Sequence, residues 1–167
     1  MQEACIAYAG SDGVAEDAAV SAMKLFTMGF TKKTAEVFFT RLRDAGVQRL
    51  VDVRLNNVSQ LAGFTKKEDL RYFARQICGI GYVHLTELAP TEEILHAFKK
   101  KKGDWKEYEK KFMGLLKARR VESSVTREML DGACLLCSEE TAERCHRRLV
   151  AEYLRERWGG VTIEHLP

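Results

Sequence analysis

Two spacings of apolar residues alternate along this chain, one of strand type and one of helix type. Lys24–Met28 is a short β run, and Thr34–Ala45 carries Phe38, Phe39 and Leu42 at helical spacing before Gly46 stops it. Arg49–Val53 is an apolar strand. Lys66–Cys78 returns to helical spacing, with Thr65 and Glu68 forming a capping box and Gly79 and Gly81 breaking the helix. Tyr82–Leu85 is a third strand. Pro90-Thr91-Glu92-Glu93 opens a helix that ends in the basic run Lys99–Lys102, and Gly103-Asp104 caps the next, from Trp105 to Arg119. Tyr108, Phe112, Leu115 and Leu116 face inward on it. Ala133–Cys137 is a strand, Cys145–Arg157 a helix and Val161–His165 a last strand.

Strands separated by helices need crossover connections, and those give parallel pairing with both sheet faces covered. The expected fold is an α/β protein, a single-domain three-layer α/β/α sandwich with a mostly parallel sheet of about five strands. Residues 1–22, rich in Ala, Ser, Asp and Glu, read as a poorly ordered N-terminal extension, and residues 23–167 as the domain. A length of 167 residues suits one domain with its own core.

Composition narrows the function only a little. A formal charge of +3 and a pI near 8.6 are compatible with anionic ligands, but fall short of the basicity of a dedicated nucleic-acid binder. No apolar run approaches the ~20 residues of a membrane span, and no basic-then-apolar N-terminus marks a secretory signal. Five cysteines without a small-scaffold spacing suggest free thiols in a reducing cytoplasm.

The chemistry gathers in the loops that follow the strands. Gly29 and Thr31 follow the first; Asp52, Arg54, Asn56, Asn57 and Ser59 follow the second. His84 and Glu87 belong to the third, and Glu139, Cys145, His146 and Arg147 to the fourth. Parallel strands bring all these loops to one edge, where open α/β sheets bind ligands. In the functional reading Arg54 and Arg147 hold an anion, aided by Gly29, Thr31, Ser59, His84 and Glu87. Asp52 and Glu139 then supply acid–base chemistry, with His146 or Cys145 assisting. The structural alternatives are a plain Asp52–Arg54 ion pair, a core His84, and a Cys145 buried on the apolar face of its helix.

The segment from Cys134 to Arg147 supports three readings. Cys134, Cys137, Cys145 and His146 are four potential metal ligands. Residues three apart on a strand, however, face opposite sides, and neighbours on a helix diverge by roughly 100°. Structural zinc is therefore disfavoured, and no metal site is assigned. A thiol near a helix N-terminus beside His146 and Arg147 is a second reading. Anion binding by the helix start with Arg147 and Arg54 ranks first. No Walker loop or Gly-x-Gly-x-x-Gly follows the first strand, which disfavours P-loop hydrolysis and ordinary dinucleotide binding.

From Lys24 onward the chain resembles the prokaryotic family called domain of unknown function 488. The resemblance rests on Gly29-Phe30-Thr31, Asp52-Val53-Arg54 with Ser59, and Tyr82 with His84-Leu85-x-Glu87-Leu88. It continues through Trp105, Tyr108 and Leu135-Leu136-Cys137-Ser138-Glu139 with Cys145-His146-Arg147. Asn57 and Gln60 stand where the family pattern has a proline and a basic residue. The resemblance implies a compact α/β domain and draws attention to Arg54, Glu139, Cys145, His146 and Arg147.

The resulting expectation is a protein that binds an anionic, phosphate- or nucleotide-like ligand at the carboxyl edge of the sheet, as a hydrolase or transferase. The competing expectation is a non-catalytic module for nucleic acid or a protein partner, binding through Lys99, Lys100, Lys101 and Lys102, with Lys106, Lys110 and Lys111 nearby.

Overall fold

The computed structural model describes residues 22–58, 63–99 and 103–167. Most of the expected N-terminal extension, Ser59, Lys100, Lys101, Lys102 and the side chain of Lys99 lie outside the described residues. Five strands form one all-parallel sheet: β1 (Met23–Gly29), β2 (Arg49–Asp52), β3 (Gly81–His84), β4 (Ala133–Cys137) and β5 (Val161–His165), in the order β3-β2-β4-β1-β5. The α/β reading holds.

Strand alternation sends two apolar sets to opposite faces. Phe26, Met28, Leu50, Cys134 and Leu136 pack with Phe38, Phe39 and Leu42 of α1 (Ala35–Asp44) and Leu70 and Ala74 of α2 (Lys67–Cys78). Leu25, Val51, Val53, Ala133 and Leu135 pack on the other face. Their partners are Phe112 and Leu116 of α4 (Trp105–Arg119) and Leu149, Val150 and Tyr153 of α7 (His146–Trp158). The helix α3 (Glu92–Lys99) leans on α4. Residues 121–130 add two single turns, α5 (Val121–Ser124) and α6 (Arg127–Leu130), which no apolar periodicity announced.

Two caps differ from expectation. α2 begins one residue late, at Lys67, with Lys66 as an N-cap that makes no side-chain bond. Thr65 is buried instead, and its carbonyl accepts from Arg54 Nη2 at 2.8 Å. Asp104 precedes α4 without a side-chain cap bond, whereas Thr34 and Thr91 each accept an amide hydrogen bond at the start of their helices. Cys145, expected inside the last helix, is its extended N-cap (φ −136°, ψ 137°).

The loops from β1 and β2 run to helices on one face, while those from β3 and β4 run to the other. The connections therefore diverge on either side of β4. An α/β sheet opens a crevice at such a switch, beyond the strand carboxyl ends.

Candidate functional site

The expected polar clusters do gather on this edge, but they sort into two groups facing different ways. One group holds the loops. Asp52 is wholly buried, and Arg54 grips it from Nε at 2.8 Å and Nη2 at 2.7 Å. The Arg54 amide donates to the same carboxylate at 3.1 Å, the Tyr82 hydroxyl at 2.7 Å and Asn57 Nδ2 at 3.3 Å. His84 Nε2 donates to the Arg54 carbonyl at 2.7 Å. Strand alternation places Asp52 and Arg54 on the α1–α2 side, where the guanidinium also lies 5.1 Å from the Phe30 ring centre. Both side chains are thus spent on the structural pairing, although Arg54 borders the cleft described below. Burial opposes the charge of Asp52, yet the bonds and charge of Arg54 and the Tyr82 hydroxyl outweigh it and hold the carboxyl below its usual range. Burial, the Asp52 charge and that hydrogen bond push the Tyr82 hydroxyl up, so it remains a donor.

A depressed folded-state pKa contributes stability that is complete above the unfolded value, about 3.9, and is lost as pH falls through the folded value. Acid unfolding below about pH 4 should therefore be shallower for Asp52→Asn than for the parent chain. Superimposable acid limbs in circular dichroism, after normalising to neutral-pH stability, would contradict this role.

Arg147 is also structural. It is 1% exposed, and its Nη1 donates to the Glu139 carbonyl at 2.7 Å and to Cys145 Sγ at 3.1 Å, with Nη2 reaching the Glu140 carbonyl at 3.4 Å. Gly29 and Thr31 serve the same loop. Thr31 donates to the Ser138 carbonyl from its amide at 3.1 Å and from its hydroxyl at 2.5 Å. Glu87 occupies the 3-10 turn after β3, where its carbonyl accepts from Arg119 Nη1 at 2.8 Å. Those residues shape the rim and hold the chain around it.

The second group faces a cleft of about 130 Å³ on the α3–α4 side. Phe98, Trp105 and Tyr108 form an aromatic wall, the Trp105 and Tyr108 rings lying 5.0 Å apart and within 21° of parallel. Burial pushes the Tyr108 hydroxyl up, followed by the charges around Cys137 and Cys145. Asn56, Ser138, Glu139 and Arg144 supply the polar side. Arg144 is exposed and makes no hydrogen bond or ion pair among the described residues.

At the floor lie Cys137, Cys145 and His146, with one donor atom from each within 4.8 Å of the others. Cys137 ends β4, and its Sγ is 3.4 Å from His146 Nδ1. His146 Nε2 is 2.7 Å from the Val53 carbonyl, which accepts only if that nitrogen carries the hydrogen. Nδ1 is thereby turned to the sulfur. Phe112 meets the imidazole edge-on at 5.7 Å and fixes its plane. Burial opposes a charged Cys137, but hydrogen bonds from Cys145 and His146, the His146 charge and the Glu139 amide favour its thiolate. Burial and the neighbouring Cys137 push the Cys145 thiol up. His146 is held above its ordinary value by Cys137 and the Val53 carbonyl, against its burial.

The geometric argument against convergence holds for Cys134, which faces the opposite side of the sheet and is kept protonated by burial. It fails for Cys145 and His146, because an extended N-cap does not obey the helical step. Cys137, Ser138, Arg144 and the aromatic wall of Phe98, Trp105 and Tyr108 are absent from the expected site residues, although Cys137 stood among the four potential metal ligands. Cys137 had a usable signal, since it lies on the opposite strand face from the core residue Cys134. Arg144 had none.

The family model described as Domain of unknown function DUF488 matches residues 34–154, and the chain belongs to that family. The match covers Asp52, Arg54, the cleft wall and the Cys137–Arg147 segment. No curated protein and no solved structure matches the chain.

Proposed function

We propose that the protein is an enzyme acting on a small anionic molecule with a planar ring, bound in the cleft at the carboxyl edge of the sheet. The observation that carries this reading is the convergence of Cys137, Cys145 and His146 at the floor of a cleft with an aromatic wall and an uncommitted arginine. Phe98, Trp105 and Tyr108 suit a flat apolar group. Arg144 takes the place expected of Arg54 and Arg147 as the ligand's cationic partner, with a reach suited to phosphate or carboxylate. Glu139, exposed at the rim, is placed to exchange protons with a molecule in the cleft. A nucleotide-like substrate satisfies both ends, and hydrolysis or group transfer is the class of reaction.

Trp105 provides a direct test. In a Trp158→Phe background, nucleoside mono- and diphosphates should quench Trp105 fluorescence saturably, and the tightest binder should be converted to product on prolonged incubation. Arg144→Ala should weaken binding about tenfold or more, the value of a charge-assisted hydrogen bond. The reading fails if none of these ligands perturbs Trp105, or if the tightest binder is indifferent to Arg144.

A further inference from the structure

The geometry points to a zinc centre held by Cys137 Sγ, Cys145 Sγ and His146 Nδ1, with a fourth coordination position open to the cleft. This inference deepens the enzyme reading, because it assigns a function to the cleft floor. Three observations carry it beyond the proximity of the donors. First, the donors are two sulfurs and an imidazole nitrogen, a borderline-soft set suited to zinc and poor for magnesium or calcium. Second, two of the three donors are held from behind. The Val53 carbonyl takes Nε2 of His146 at 2.7 Å, and Arg147 Nη1 donates to Cys145 Sγ at 3.1 Å. Metal-binding histidines and thiolates are oriented by such outer contacts. Third, all three residues line the cleft, together with Ser138, Glu139 and Arg144. Three protein ligands with an accessible fourth position distinguish a working zinc centre from a closed structural one.

Charge balance points the same way. Cys137 and Cys145 are 4% and 1% exposed, and His146 7%. Two thiolates in so enclosed a place are costly without compensation. A dication bound by two thiolates and a neutral imidazole leaves no net charge, and binding releases two protons to solvent, one from the Cys145 thiol and one shared by Cys137 and His146 Nδ1. The fourth position would accept water or a substrate oxygen, and the metal would act there as a Lewis acid.

Full-length protein purified without chelator, then equilibrated with zinc and desalted, should retain a single zinc per chain by elemental analysis. Substitution with cobalt should give sulfur-to-metal charge transfer in the near ultraviolet and strong tetrahedral bands in the visible. Azide should shift those visible bands by entering the open position. Cys137→Ser and Cys145→Ser should each abolish retention while circular dichroism remains folded, and Cys78→Ser, on α2, should retain the metal fully. Failure of the parent chain to retain zinc and to develop the cobalt bands overturns the centre whether or not the variants fold. Retention with bands indifferent to azide overturns the open position. Nucleotide quenching of Trp105 is scored separately, so the cleft reading and the metal inference can fail independently.

Discussion

Asp52→Ala is expected to cost about 3–5 kcal/mol of folding stability, the usual penalty for removing one partner of a buried ion pair. The loss comes less from the vanished attraction than from what remains. Arg54 is only 5% exposed and would keep its charge, with Nε and one Nη2 contact unanswered. Tyr82 and Asn57 would lose an acceptor at the same time, leaving two more donors to be repaired. Urea denaturation at neutral pH measures the effect. The double variant Asp52→Leu with Arg54→Met should be less damaged than Asp52→Ala, because apolar groups can replace a buried pair more cheaply than one charge can be stranded. A single-variant loss below about 1 kcal/mol would mean that water reaches Arg54, and that the pair behaves as a surface contact. Such a result would also return Arg54 to the set of residues able to meet a ligand.

The distinction between structural and cleft-facing residues separates what was legible in the sequence from what was not. All five strands lie within a residue or two of their expected bounds, since a buried parallel strand leaves a compact apolar run. The edge where chemistry gathers was equally legible, because it follows from strand direction alone. Which polar groups face the cleft depended on finer geometry. Alternation on β2 puts Arg54 on the side of Asp52, beneath the α1–α2 layer. On α7 the roughly 100° step per residue carries Arg147 away from His146, toward Gly29. Applied to those two arginines, the same rules that set Cys134 apart would have placed them away from the cleft floor. Cys145 was expected at the site, but its convergence with Cys137 was illegible for a different reason: its extended backbone depends on where the helix begins, and helix ends are hard to fix from sequence. Arg144 lies in an irregular loop, where no periodicity assigns a direction.

Gly29→Ala should be the more revealing lesion, because its damage is directed at the site. A Cβ on Gly29 would lie 1.6 Å from the Glu139 carbonyl oxygen and 3.1 Å from Arg147 Nη1. The first neighbour is backbone, so no rotamer change relieves the overlap. β1 cannot retreat easily either, being paired with β4 on one side and β5 on the other. The loop after β4 must move, which pulls the Glu139 carbonyl from Arg147 and the Ser138 carbonyl from Thr31. Overpacking of this kind costs about 1–3 kcal/mol where side chains can adjust, and a backbone obstacle places this substitution at the upper end. The movement also displaces the Glu139 amide that supports Cys137, so the cobalt bands should weaken even in the fraction that remains folded. Gly114→Ala provides the contrast. It lies on the exposed side of α4 with nothing within 4 Å of the added Cβ, and alanine there should stabilise the helix by up to about 1 kcal/mol. Two glycine-to-alanine changes of opposite sign would show that Gly29 is required for space, and that β1 and the loop carrying Glu139 form one packed unit. Equal and small effects would instead mean that the loop yields freely, and a loop that yields cannot hold Cys137, Cys145 and His146 in register.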